Sequence, residues 1–177
     1  MEAIKQLFWS SRPVSWINTA FPFGATYVFI NHKVDLTFVI GTLFFLIPYN
    51  LLMYGINDVF DYESDLRNPR KGSIEGAVLH PKWHAPTLWV SFLLPVPFLI
   101  YLFAQGNALA SGLTALFVFT VIAYSAKGLR FKEIPLLDSI TSASHFVGPM
   151  IFALALTKQD LSNPKITAII MAFTLWG

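Results

Sequence analysis

The sequence has no cysteine and little charge, and each shortage excludes something. Without cysteine there is no disulfide framework and no thiolate metal site. Only 12% of the 177 residues are charged while 55% are hydrophobic; a soluble domain carries about 25% charged residues. A soluble core of this size cannot absorb so much apolar surface, so a lipid-facing exterior is expected. An excess of one sign is also missing. The net charge is +2, and the basic residues sit in short loops rather than a stripe, which argues against nucleic acid as a partner. The N-terminus lacks a short apolar core followed by a small-residue cleavage site, so no cleavable signal peptide is expected.

What is present is long apolar runs. Five stretches contain no Asp, Glu, Lys or Arg: 14–31, 36–56, 85–104, 108–125 and 139–157. Each approaches the ~20 residues that a helix needs to cross a bilayer. Backbone groups in lipid must be satisfied within the segment, so helices are predicted. A sixth stretch runs from Ile166 to Gly177. At ~1.5 Å per residue it is too short for a bilayer core of ~30 Å. The expected fold is an all-α polytopic transmembrane bundle, one domain over 1–177, with about five full spans and a partial sixth. The chain is expected to be the N-terminal portion of a longer protein.

The loops alternate in charge. Lys5, Arg12, Arg67, Arg70, Lys71, Lys82, Lys127, Arg130 and Lys132 fall on one side; Lys33, Lys158 and Lys165 fall on the other. The basic excess predicts that the N-terminus and both long polar loops face the cytoplasm, as in a bacterial plasma membrane protein. Pro22, Pro48, Pro95, Pro97 and Pro149 lie within or beside spans. They fit either a cavity between kinked helices or plain packing.

The informative segment directly follows the second span: Asn57-Asp58-Val59-Phe60-Asp61-Tyr62-Glu63-Ser64-Asp65. No turn residue separates the two, so the helix is expected to run on past the membrane surface. At about 100° per residue, Asn57, Asp58, Asp61 and Asp65 share one arc and Glu63 falls off it. Like charges at such spacing repel, and a helix C-terminus disfavours anions. A bound divalent cation relieves both. Mg²⁺ is held by a few carboxylates together with substrate phosphates, so the arrangement suits a diphosphate head on an apolar tail. A solvated acidic loop is the plainer alternative, and the shared face and the position after a span weigh against it.

Diphosphate also needs cations. Arg67, Arg70 and Lys71 continue the same loop, and the ordinary cytoplasmic excess explains them as well as phosphate binding does. In the second loop, Lys127 and Arg130 are favoured as phosphate partners, because Tyr124 and Ser125 just before them add hydroxyl donors. Asp138 is expected to cap a helix. His145, inside a span, is expected to be neutral and satisfied by a neighbouring helix. His80 and His84 lie four apart with no acidic partner near, which disfavours a metal site.

These residues resemble the UbiA superfamily of intramembrane prenyltransferases. Asn57, Asp58, Asp61 and Asp65 match its first aspartate-rich motif, N-D-x-x-D-x-x-x-D. Tyr124 to Lys132, followed by Pro135-Leu136-Leu137-Asp138, is similar to its loop after helix 4, and Ser11-Arg12-Pro13 to its N-terminal signature. Tyr54 to Asn57 and Asn68 to Lys71 look most like the lycopene elongase and related carotenoid-type branch. The resemblance implies about nine helices around a cavity open to lipid, and two aspartate-rich motifs holding Mg²⁺ on the diphosphate. The second motif is expected beyond Gly177.

The implied reaction is Mg²⁺-dependent transfer of a prenyl group from an allylic prenyl diphosphate to a lipophilic aromatic or polyene acceptor within the membrane. Asn57, Asp58, Asp61 and Asp65 are the expected metal ligands, with Asp61, Asp65 and Lys127 central to catalysis. Asn57, Arg67, Tyr124, Ser125 and Arg130 are the expected substrate contacts. The implied partners are the donor, the acceptor and membrane lipid; oligomeric state is left open. Phosphatidyl transfer by a CDP-alcohol enzyme needs an Asp-Gly pair, and the chain has none. A transporter places polar features near the midplane, whereas these acids cluster at one edge. A non-catalytic membrane protein or an inactive truncated homologue is the remaining alternative.

Overall fold

The computed structural model describes residues 2–69, 71 and 78–176, and among them every regular element is helical. A short amphipathic helix α1 (Glu2–Ser10) leads through the 3-10 turn Pro13–Ser15 into α2 (Trp16–Asn31). Then follow α3 (Leu36–Phe60), a one-turn helix Tyr62–Asp65, α4 (Pro81–Gln105), α5 (Ala108–Ser125), α6 (Pro135–Leu156) and α7 (Pro164–Trp176). Helices α3 to α6 are each long and apolar enough to cross a membrane. Helix α2, expected as a fifth full span, has 16 residues, about 24 Å at ~1.5 Å each; the 3-10 turn before it adds length. Helix α7 is a shorter apolar helix of 13 residues. Phe29, Trp89 and Ile100 are exposed, as lipid-facing positions must be.

Helix α6 packs against α2 and α5, α2 against α3, and the second half of α3 against α4. Aromatic rings fill the centre. Phe23 lies 5.3 Å from Phe45 and 5.8 Å from Phe152, and Phe45 meets Tyr49 edge-on at 5.1 Å. Small residues let the backbones approach. At Gly41 an added Cβ would sit 2.2 Å from the ring of buried Phe23.

Helix α3 is the irregular element. Pro48 cannot donate to the preceding turn, and residues Leu51–Gly55 follow as a π-turn. Side chains take over the loosened carbonyls, as helix breaks inside a membrane require. Thr19 Oγ1 donates to the Phe45 carbonyl at 2.6 Å, Asn50 Nδ2 to the same oxygen at 2.8 Å, and Ser91 Oγ to the Leu51 carbonyl at 3.1 Å. The ladder resumes over Ile56–Phe60 and stops at Asp61, whose φ of −101° and ψ of 5° leave the helical region. The continuous helix expected through the acidic segment is therefore interrupted in its middle.

Asp35 starts α3 by accepting from the Phe38 N–H at 3.0 Å, and Tyr27 Oη donates to it at 3.1 Å. The Phe38 N–H is the main force holding its carboxyl below the usual aspartate range; burial opposes it and Lys33 assists. Asp35→Ala is expected to lower stability by about 1 kcal/mol at neutral pH. Because the folded pKa is depressed, this contribution is fully present above the unfolded value of about 3.9 and is lost as pH falls through the folded value. Thermal unfolding of both proteins in detergent across that range checks it; a difference that persists at the acid end contradicts it.

Candidate active site

The acidic segment forms two charge clusters, divided by the break at Asp61. In the first, Lys71 Nζ lies 2.8 Å from Asp58 Oδ1 and 2.8 Å from Asp65 Oδ2. Arg12 Nη2 adds a contact to Asp58 Oδ1 at 3.6 Å. Asp58 is fully buried and Asp65 nearly so. In the second, Asp61 meets Lys132 Nζ through one carboxylate oxygen and Arg130 Nη2 through the other at 3.3 Å. Asn57 joins the two. Its Nδ2 donates to Asp61 at 2.9 Å and to Ser125 Oγ at 2.9 Å, while its Oδ1 accepts from Arg12 Nη2 at 3.5 Å.

Local backbone explains how distant residues arrive here. Arg12 has φ of 50°, a left-handed turn that reverses the chain between α1 and α2. After α5, Gly128 at φ 92° and Arg130 at φ 41° turn the loop back on itself. Glycine adopts that conformation at little cost, and the turn brings Arg130 and Lys132 onto Asp61. Glu133 fixes Arg130 from the other side, with Oε1 accepting from Nε at 2.5 Å. That bond chiefly, with Asp61 behind it, raises the Arg130 guanidinium further above its usual range. Burial pulls the Lys132 ammonium below the usual lysine range, and the Asp61 carboxylate pulls it back up.

A cavity of about 180 Å³ opens beside the clusters. Arg12, Asn57, Tyr124 and Ser142 supply its polar lining, and Met53, Tyr54 and Phe146 its apolar lining. The Arg12 guanidinium sits 4.2 Å over the Tyr54 ring, a cation–π contact between two of the lining residues. The space is therefore bordered by polar and cationic groups as well as by aromatic rings.

Of the residues expected from sequence, Asn57, Asp58, Asp61, Asp65, Ser125 and Arg130 are brought together, and Tyr124 lines the cavity with Asn57. Arg67 and Lys127 are exposed, and the clusters' ion pairs are made by Arg12, Lys71, Arg130 and Lys132 instead. Arg70 lies outside the described residues. Asp138 is not the cap expected; Ile134 holds that position, and Asp138 sits in the first turn of α6, where it interacts with the Tyr124 hydroxyl. His80 caps the turn before α4 by accepting from the Lys82 N–H, and the His84 Nε2 pairs with the Leu79 carbonyl at 2.8 Å. His145, expected to be satisfied by a neighbour, has no hydrogen-bond partner at either ring nitrogen among the described residues.

The fit to a divalent cation follows from the first cluster. Asp58 and Asp65 already hold one positive charge between them, the Lys71 ammonium, and Asp58 Oδ2 is buried with no hydrogen-bond partner among the described residues. Among the described residues no three acidic or histidine side chains converge as a self-sufficient metal site. Two carboxylates completed by phosphate oxygens is the usual manner of holding Mg²⁺, and these residues fit it. Around the clusters, among the described residues, four cations face Asp58, Asp61, Asp65 and Glu133. A diphosphate would leave that balance negative unless another cation entered with it.

A buried ion pair resists loss of one partner, because the other charge is stranded. Lys71→Met is expected to cost about 3 kcal/mol of stability, and adding Asp58→Asn is expected to recover at least about 1 kcal/mol of it. Detergent unfolding of the single and double variants measures this. Additive losses contradict the bridge.

Comparison with known proteins bears on what such a site does. The family model described as the UbiA prenyltransferase family matches residues 19–177. The chain is 58% identical over 97% of its length to a C(50) beta-cyclic carotenoids biosynthesis protein from Dietzia sp. (strain CQ4), covering 39% of that protein. It is 50% identical over its whole length to a lycopene elongase/hydratase from Corynebacterium glutamicum, covering 61% of it. A lycopene elongase/hydratase from Haloferax volcanii is 36% identical over 75% of this chain and 42% of its own length. The chain thus spans between about two fifths and three fifths of these curated relatives. No solved structure matches.

Proposed function

The chain belongs to the UbiA prenyltransferase family, and on that premise we propose that it transfers a prenyl group from an allylic prenyl diphosphate to a polyene acceptor in the membrane. The observation that carries this reading is the pair of buried carboxylates, Asp58 and Asp65, sharing one cation beside a cavity lined by both polar and aromatic side chains. The names of the relatives, carotenoid biosynthesis protein and lycopene elongase/hydratase, favour a carotenoid as acceptor.

The diphosphate docks beside Arg12 and Asn57, and the excess of basic loop residues on that side supports a cytoplasmic orientation. Asp58 and Asp65, with Asp61 and Asn57 beside them, would hold Mg²⁺. A divalent cation held there would supply neutralisation of charge on the departing diphosphate. Lys71, released from between the two carboxylates, turns to a phosphate oxygen, and Arg12, Arg130 and Lys132 neutralise the rest. Ser125 and Tyr124 donate hydroxyl hydrogen bonds. The prenyl C–O bond breaks, and the allylic cation lies against Tyr54 and Phe146, whose ring faces favour positive charge. A terminal double bond of the acceptor supplies the electron pair of the new C–C bond. Met53, Tyr54 and Phe146 keep water from the cation, which limits hydrolysis of the donor.

Full-length protein in bilayers, given dimethylallyl diphosphate and lycopene, is expected to release diphosphate and form an elongated carotenoid. Chelation by EDTA is expected to stop both, and Asp61→Ala to lower the rate at least about 100-fold. Elongation that continues under EDTA, or an Asp61→Ala protein as active as wild type, sinks the reading.

A further inference from the structure

The chemistry above uses nothing on α6 deeper than the Ser142 to Phe146 turn, yet His145 lies in that turn. Its ring is fully buried, and neither Nδ1 nor Nε2 has a hydrogen-bond partner among the described residues. A neutral imidazole carries one donor and one acceptor, and leaving both unpaired away from water is costly. Packing does not call for it. Its neighbours are rings: Tyr49 stacked at 5.0 Å, Tyr54 edge-on at 5.6 Å and Phe146 at 5.1 Å. A phenyl ring would fill the same space with nothing left unpaired.

Two further features mark the position. The hydroxyl of Tyr49, the ring stacked on His145, is also buried without a partner. A buried water is the usual means of satisfying such groups together. Pro149 stands four residues on and has no N–H to give the His145 carbonyl, so the helix ladder is open there. Tyr54 and Phe146, in contact with the imidazole, are also walls of the cavity that reaches Asn57 and Arg12. The imidazole thus stands one ring behind the place proposed for the carbocation.

We propose that His145 is the proton acceptor that ends the reaction, acting through one water held between its ring and the cavity. The proposal rests on the prenyl-transfer reading. Addition of the allylic cation to the acceptor leaves a carbocation on the acceptor's next carbon. A neighbouring C–H bond breaks, its electron pair becomes a new C=C bond, and the proton passes through the water to the free imidazole nitrogen. When the water oxygen adds to the cation instead, a C–O bond forms and the surplus proton goes to the same nitrogen. In both outcomes the positive charge ends as imidazolium, which returns its proton to solvent as product leaves.

The test uses full-length protein in bilayers with dimethylallyl diphosphate and lycopene, and compares diphosphate released with carotenoid product formed. His145→Phe is expected to release diphosphate within about threefold of the wild-type rate. Its yield of elongated carotenoid per diphosphate is expected to fall about 100-fold. His145→Gln, which still holds a water, is expected to retain part of the yield with an altered ratio of hydrated to unsaturated product. Should His145→Phe not fold, the Gln variant carries the test through that ratio. An unchanged yield and ratio in the folded variants overturns the proposal. Wild-type protein that releases diphosphate but forms no carotenoid product overturns the prenyl-transfer reading, and this proposal with it.

Discussion

Three carboxylates gathered at the end of an apolar helix must be neutralised, and the site is arranged around that requirement. Asp58 is fully buried, and an isolated ion so far from water is strongly disfavoured. The chain meets the demand with cations from three separate segments: Arg12 before α2, Lys71 after the acidic motif, and Arg130 and Lys132 after α5. These pairings fasten the loops at one end of the bundle to each other. They also leave one ammonium, that of Lys71, shared between Asp58 and Asp65.

The bundle below serves that end. Pro48 and the π-turn rotate the last part of α3 relative to a regular helix. Thr19, Asn50 and Ser91 hold the irregular backbone by bonding its loosened carbonyls. Close approach at Gly41 and Gly55 lets α2 and α4 grip α3 on both sides of the irregularity. The break at Asp61 then separates Asp61 from the Asp58 and Asp65 pair, so two clusters of charge form where a regular helix would have crowded one.

Much of this was legible in the sequence because it is local. Uncharged runs reveal apolar helices, and the cluster of Asn57, Asp58, Asp61 and Asp65 just after one of them marks where the charge gathers. What was not legible depends on contacts distant in sequence. Arg12 lies 45 residues from Asn57, and Lys132 lies 71 from Asp61. Nothing near Lys132 distinguished it from Lys127; the left-handed turns at Gly128 and Arg130 decide which of them reaches the acid. The interruption at Asp61 has no proline or glycine to announce it. Helix α2 was read as a full span because absence of charge measures apolarity, whereas its helical length is set by the turns at its two ends.

The central claim is that Asp58 and Asp65 exchange an ammonium for a divalent cation when diphosphate arrives. Electron paramagnetic resonance of Mn²⁺ with the full-length protein in bilayers measures this, with and without inorganic diphosphate. The account predicts tight Mn²⁺ binding only when diphosphate is present, and its loss in Asp58→Asn. Binding that ignores diphosphate, or that survives Asp58→Asn unchanged, contradicts it.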